Sequence, residues 1–118
     1  MSGPEDRRRH VRVQPTADYA VDVSIVQGIV FERARVVDIS VAGLGLLLEP
    51  PFDRFGVGQK LTLRVLFPEA APLEVAAVVR HTTRATGIWG IEIDRNDERV
   101  MRALRHAVSE LLERATSG

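Results

Sequence analysis

The stretch KLTLRVLF, residues 60–67, has an apolar residue at every second position: Leu61, Leu63, Val65 and Phe67. Lys60, Thr62 and Arg64 alternate with the first three of these. A period of two is typical of a β-strand that buries one face. Residues 73–80, LEVAAVVR, repeat this period after a short link that contains Pro68 and Pro72. Two such runs joined by a short turn predict an antiparallel pair of strands.

Four further strands are predicted on either side of this pair. They cover residues 18–27, 29–37, 44–48 and 88–93, and turn-forming glycine, proline, aspartate and serine separate them. The links are short and no helical segment lies between the strands. Spacings of this kind favour an antiparallel barrel or sandwich over a parallel α/β sheet.

A helix is predicted over residues 96–114, where the apolar period changes from two to nearly four. Val100, Leu104, Val108 and Leu111 fall on one face of that helix, and Asn96 is in position to cap it. An apolar helical face must be buried, so we expect the helix to pack on the strands. Residues 1–17 carry no apolar period and are predicted to be a flexible, arginine-rich leader before a single domain of residues 18–114.

The composition excludes several classes of protein. The 118 residues suffice for one domain with a hydrophobic core, since 45% of them are apolar. The longest stretch without charge covers ten residues, 39–48, about half of what a membrane-spanning helix needs. No apolar segment follows the basic N-terminus as in a signal peptide, so we expect a cytoplasmic protein without membrane insertion. The absence of cysteine excludes disulfides and thiolate chemistry.

The residues that commonly carry catalysis are scattered along the chain. His10, His81 and His106 fall in three different elements and have no partner at metal-ligand spacing. Gly43-Leu44-Gly45 lacks the third glycine of a dinucleotide-binding fingerprint and leads into a strand rather than a helix. We therefore predict no enzyme, no catalytic residue, no metal site and no cofactor.

Two short motifs remain unexplained by the fold. Arg7, Arg8, Arg9 and Arg12 crowd together before the first strand, in a chain whose net charge is zero. The segment Asp38-Ile39-Ser40-Val41-Ala42-Gly43 follows the second strand. Taken alone, this segment is also typical of a capped turn, in which aspartate and serine bind the backbone.

The order of the two motifs resembles the PilZ domain family. Its signature is RxxxR, matched here by Arg8 and Arg12, followed after a strand hairpin by [DN]xSxxG, matched by Asp38, Ser40 and Gly43. The resemblance extends from Arg7 to about residue 112. It implies a mainly β fold, a six-stranded antiparallel β-barrel with a C-terminal α-helix.

The resemblance also implies a ligand, the bacterial second messenger cyclic di-GMP. Arginine can bind phosphate or the O6 and N7 atoms of guanine with paired donors, and a carboxylate can accept from guanine N1–H and N2–H₂. A serine supplies a small hydroxyl, and a glycine permits a positive φ and close approach of a ligand. The predicted ligand-binding residues are Arg7, Arg8, Arg9, Arg12, Asp38, Ser40, Gly43 and Arg80.

A domain of this size signals by changing the surface that it presents to another protein, so an effector protein is an expected partner. Two other functions stay open from the sequence. The first is a protein-interaction adaptor that binds no ligand. The second is a small barrel that binds single-stranded nucleic acid, although zero net charge and six aromatic residues disfavour it. Trp89 is predicted to be a core residue, with guanine stacking as its alternative.

Overall fold

The computed structural model describes residues 11–48, 55–83 and 85–117, and its strands form one closed antiparallel barrel. The strand order around the barrel is β1-β2-β3-β6-β5-β4, with β4 paired back to β1. Helix α1 follows the last strand. The elements are β1 (Asp22–Gln27), β2 (Val30–Ile39), β3 (Gly43–Leu47), β4 (Lys60–Leu66), β5 (Leu73–Thr83), β6 (Ile88–Ile93) and α1 (Glu98–Ser117). The predicted fold class is confirmed.

The barrel and the helix share one hydrophobic core. Every second residue of β4 points inward, so Leu61, Leu63 and Val65 are buried. The four apolar residues predicted on one face of the helix are buried as well, and Leu104 is 1% exposed. Trp89 is fully buried and packs edge-to-face on Phe55, with ring centroids 5.2 Å apart. Trp89 therefore belongs to the core and offers no face to a ligand.

The start of the domain differs from its prediction. Val13 lies within the predicted leader, yet it is buried and its backbone pairs with Ile39 of β2 through two hydrogen bonds of 2.9 and 2.7 Å. The strand predicted from residue 18 begins at Asp22, because Thr16 and Tyr19 form a turn instead. The core thus begins at Val13, five residues earlier than the predicted domain.

The helix begins and ends later than predicted. Asp97, not Asn96, caps its N-terminus, since the Asp97 carboxylate accepts the backbone N–H groups of Arg99 and Val100 at 3.1 and 3.4 Å. The Arg99 side chain also binds this carboxylate, and these bonds lower the pKa of Asp97. At the other end, Arg114 binds Asp18 and lies over the Tyr19 ring at 5.0 Å. These contacts fasten the helix to the segment that precedes β1.

No helix in the described part of the chain is long and apolar enough to span a membrane. Nor do the described residues bring three or more histidine, aspartate or glutamate side chains together as metal ligands.

Candidate ligand-binding site

Two β-bulges determine which side chains near the DxSxxG motif point outward from the barrel. Val37 is an extra residue in β2, because Val36 pairs with Leu46 and Asp38 already pairs with Gly45. After such an extra residue, the side chains that would have pointed into the barrel point outward, and those that would have pointed outward point inward. Ile39 consequently enters the core, and Asp38 points outward.

The second bulge lies in β5 and involves Arg80. Val79 pairs with Ile91 and His81 pairs with Gly90, so Arg80 is the residue without a direct partner. Val79 is buried, whereas Arg80 and His81 are both exposed. This bulge therefore places two adjacent polar side chains on the same outer surface of the barrel.

The register aligns four outward positions in a row across β2, β3, β6 and β5. In order they are Asp38, Gly45, Gly90 and His81. The two outer side chains lie over the glycines between them. A Cβ on Gly45 would stand 2.8 Å from Asp38 Oδ1, and a Cβ on Gly90 would stand 2.2 Å from the His81 ring. Gly45 and Gly90 thus form a shallow surface, which we call the glycine floor. The Asp38 carboxylate lies at one end of it and the His81 imidazole at the other.

Arg12 of the RxxxR motif contacts Asp38 at one end of the glycine floor. Its Nη1 lies 3.4 Å from Asp38 Oδ1, and the Asp38 side chain is 25% exposed. The bridge between Val13 and Ile39 explains the position, because it holds the residue after Arg12 against the strand that carries Asp38. The structure therefore brings the two motifs into contact. Arg7, Arg8 and Arg9 lie outside the described residues.

Ser40 and Gly43 form the turn beside this floor. The buried Ser40 hydroxyl accepts the N–H groups of Ala42 and Gly43 at 3.2 Å and lies 3.4 Å from the Gly43 carbonyl, to which it donates. The hydroxyl predicted for the ligand is thus engaged within its own turn.

Gly43 does not use the positive φ that a glycine permits. Its φ is not in the left-handed region, and the glycine is required for a different reason. A Cβ there would stand 2.0 Å from the carbonyl oxygen of Ile91, so only glycine allows β3 to lie this close to β6.

Arg80 completes the cleft from the opposite side. Its Nε donates to Oε1 of Glu92, which faces outward on β6 and pairs in register with Gly43. The cleft has a volume of about 220 Å³. It is lined by Arg12, Ser40, Ala42, Gly43, Leu44, Arg80, His81, Gly90, Ile91 and Glu92. A second hollow, of about 400 Å³, lies beyond Glu92 and contains neither motif.

The sequence interpretation missed four residues of this site: Gly45, Gly90, His81 and Glu92. A signal for the glycines was present, because glycine inside a strand often marks close approach of a ligand or another backbone. Gly45 and Gly90 both occupy outward positions of short strands. His81 had no such signal, since only the bulge at Arg80 turns it toward the cleft.

Comparison with known proteins shows the family to which the chain belongs. The model of the PilZ domain matches residues 6–110, and the chain belongs to the PilZ domain family. No curated protein matches the sequence.

Several solved structures share the fold. The PilZ domain of YcgR from Escherichia coli, solved with c-di-GMP, has a TM-score of 0.69 at 17% identity, with 94% of this chain and 95% of that one covered. The MrkH–c-di-GMP complex of K. pneumonia has a TM-score of 0.71 at 16% identity, with 94% and 55% covered. The Bacillus subtilis inhibitor of motility MotI/DgrA has a TM-score of 0.68 at 24% identity, with 91% and 52% covered. The chain thus spans about half of the MrkH and MotI chains.

Proposed function

We propose that this protein is a cyclic di-GMP receptor that acts by binding and not by catalysis. The observation that carries the proposal is the contact between the two motifs, in which Arg12 meets Asp38 at the edge of a glycine floor. Family membership supports it, as do the c-di-GMP complexes of YcgR and MrkH.

The residues that line and border the cleft match the chemistry of the ligand. Cyclic di-GMP carries two phosphate charges, for which Arg12 and Arg80 supply charge-assisted donors. Asp38 supplies acceptors for N1–H and N2–H₂ of guanine, a pair of donors that adenine lacks. Gly45 and Gly90 carry no side chain of their own, so a flat base can lie over them once the movable His81 ring turns aside. We expect Arg7, Arg8 and Arg9 to add contacts from the segment before Arg12.

The output we propose is a changed surface for an effector protein in the cytoplasm. Arg12 and the pairing of Val13 with Ile39 connect the cleft to the segment before β1. Asp18 and Tyr19 connect that segment to α1 through Arg114. A ligand that binds Arg12 can therefore affect the helix through residues 12–19. An adaptor that works without ligand is the alternative, and it predicts no binding of the nucleotide.

Arg12→Ala should weaken binding of cyclic di-GMP at least about tenfold, or about 1.4 kcal/mol, because it removes charge-assisted bonds to the ligand. Isothermal titration calorimetry measures this loss, which should shrink at higher salt because exposed charges are screened. Arg33→Ala is the matched control, since Arg33 also forms an exposed pair with an aspartate, Asp22, at 3.2 Å. Equal affinity of the two variants would contradict the assigned role. We expect the same loss for Arg8→Ala.

Gly90→Ala should abolish much of the binding while leaving the fold intact. The added methyl group would meet only the movable His81 ring among its nearest neighbours, so the strands need not separate. It would fill the floor on which we place the base, and we expect an affinity loss of about tenfold or more. Calorimetry and thermal melting of the same sample test both parts. Wild-type affinity in this variant would show that the ligand does not lie on the glycine floor.

A further inference from the structure

Glu92 is an acidic side chain in a cleft for which we propose a ligand with two negative charges. It faces outward from β6 directly beside Gly43, and its side chain is 30% exposed. Its Oε1 accepts from Arg80, and its Oε2 lies 3.9 Å from Nη2 of Arg95, which precedes α1. Glu92 also lines both the cleft of about 220 Å³ beside the two motifs, or motif cleft, and the neighbouring hollow of about 400 Å³. One carboxylate therefore stands between two arginines, of which one belongs to the binding cleft.

The charges lining and bordering the motif cleft are balanced by such pairs. Arg12 is paired with Asp38, and Arg80 is paired with Glu92. Asp38 has a use in binding, because it matches the donors of guanine. Glu92 lies on β6, two strands further around the barrel than Asp38 on β2, and it is already bound to Arg80. Its negative charge opposes the approach of each phosphate.

We propose that Glu92 is an internal competitor of the ligand for Arg80. A phosphate that binds the Arg80 guanidinium must overcome the Glu92 carboxylate, and Arg95 offers this carboxylate a second cation when it leaves. Glu92 thereby lowers the affinity of the receptor for cyclic di-GMP and raises the nucleotide concentration at which the receptor becomes occupied. This inference rests on the proposed function.

Two opposing effects of Glu92 decide the sign of the expected change. Its bond to Arg80 restrains the guanidinium, but ion pairs that are this exposed contribute little. Its repulsion acts on both phosphate charges, and we expect it to be the larger effect. Removing the charge should therefore strengthen binding.

Glu92→Gln tests the proposal by calorimetric titration with cyclic di-GMP. We expect affinity to rise about three- to tenfold, and the gain to shrink at high salt because the lost repulsion is electrostatic. Glu92→Asp keeps the charge and should not show the gain. Glu74→Gln removes the same charge from the exposed part of β5, six residues and so about 20 Å along the strand from Arg80, and should bind as wild type does.

The outcomes separate this inference from the proposed function. Tighter binding by Glu92→Gln than by wild type, Glu92→Asp and Glu74→Gln supports the competitor role. If wild type binds and Glu92→Gln binds equally or more weakly, Glu92 is no competitor, and the receptor function stands. A weaker variant that also loses its preference over cyclic di-AMP would identify Glu92 as an acceptor for guanine instead. If none of the four proteins binds, the receptor function and the competitor role both fall.

Discussion

Leu104→Asp should destabilise the protein by about 3 kcal/mol or more, because it places an unpaired carboxylate in the shared core of barrel and helix. Leu104 is 1% exposed and lies in the middle of the buried face of α1. A loss of this size is a large part of the stability of a small domain. Chemical denaturation followed by circular dichroism measures the change.

Ser109→Asp is the matched control, since it adds the same charge to the exposed face of the same helix. We expect its unfolding free energy to stay close to that of wild type. If Leu104→Asp unfolds at the same denaturant concentration as Ser109→Asp, the helix does not depend on its apolar face for packing.

Asp38→Ala should lose affinity for cyclic di-GMP and most of its preference over cyclic di-AMP. In wild type, cyclic di-AMP offers Asp38 neither the N1–H nor the N2–H₂ donor of guanine, so we expect rejection by several kcal/mol, about a hundredfold or more. The variant lacks this acceptor, and the two affinities should approach each other. Titration of both nucleotides into both proteins gives the four dissociation constants required.

Asp22→Ala controls for the loss of an exposed aspartate that is paired with an arginine, here Arg33. It lies on β1, away from the glycine floor, and should keep wild-type affinity and preference. If Asp38→Ala still discriminates between the two nucleotides, Asp38 does not recognise guanine and serves only as the ion-pair partner of Arg12.

The period-two strands were predictable because one face of each strand is buried. Strand β6 has the predicted bounds, and β4 ends one residue before its predicted end. The alternation of residues 60–67 and 73–80 therefore carries enough information to place an antiparallel pair. The bulges at Val37 and Arg80 were not predictable in the same way, because both lie among residues that also suit a regular strand.

The same distinction explains which parts of the site were predictable. Arg12 and Asp38 each belong to a motif with fixed internal spacing, so their roles could be predicted from the sequence. His81 and Glu92 reach the cleft through strand register, which joins β5 to β6 and β6 to β3. The close approach of a ligand predicted for Gly43 stays a prediction, and strand pairing adds a second reason for the glycine, since a Cβ there would clash with the Ile91 carbonyl oxygen.

Calorimetric titration of the wild-type protein with cyclic di-GMP, beside cyclic di-AMP, GTP and a single-stranded oligonucleotide, tests the central claim most directly. A receptor with Asp38 facing guanine should bind cyclic di-GMP saturably and reject cyclic di-AMP, while GTP and the oligonucleotide bind weakly or not at all. Absence of cyclic di-GMP binding would contradict the account and favour the ligand-independent adaptor. Tighter binding of the oligonucleotide would instead favour the nucleic-acid interpretation of the arginine segment.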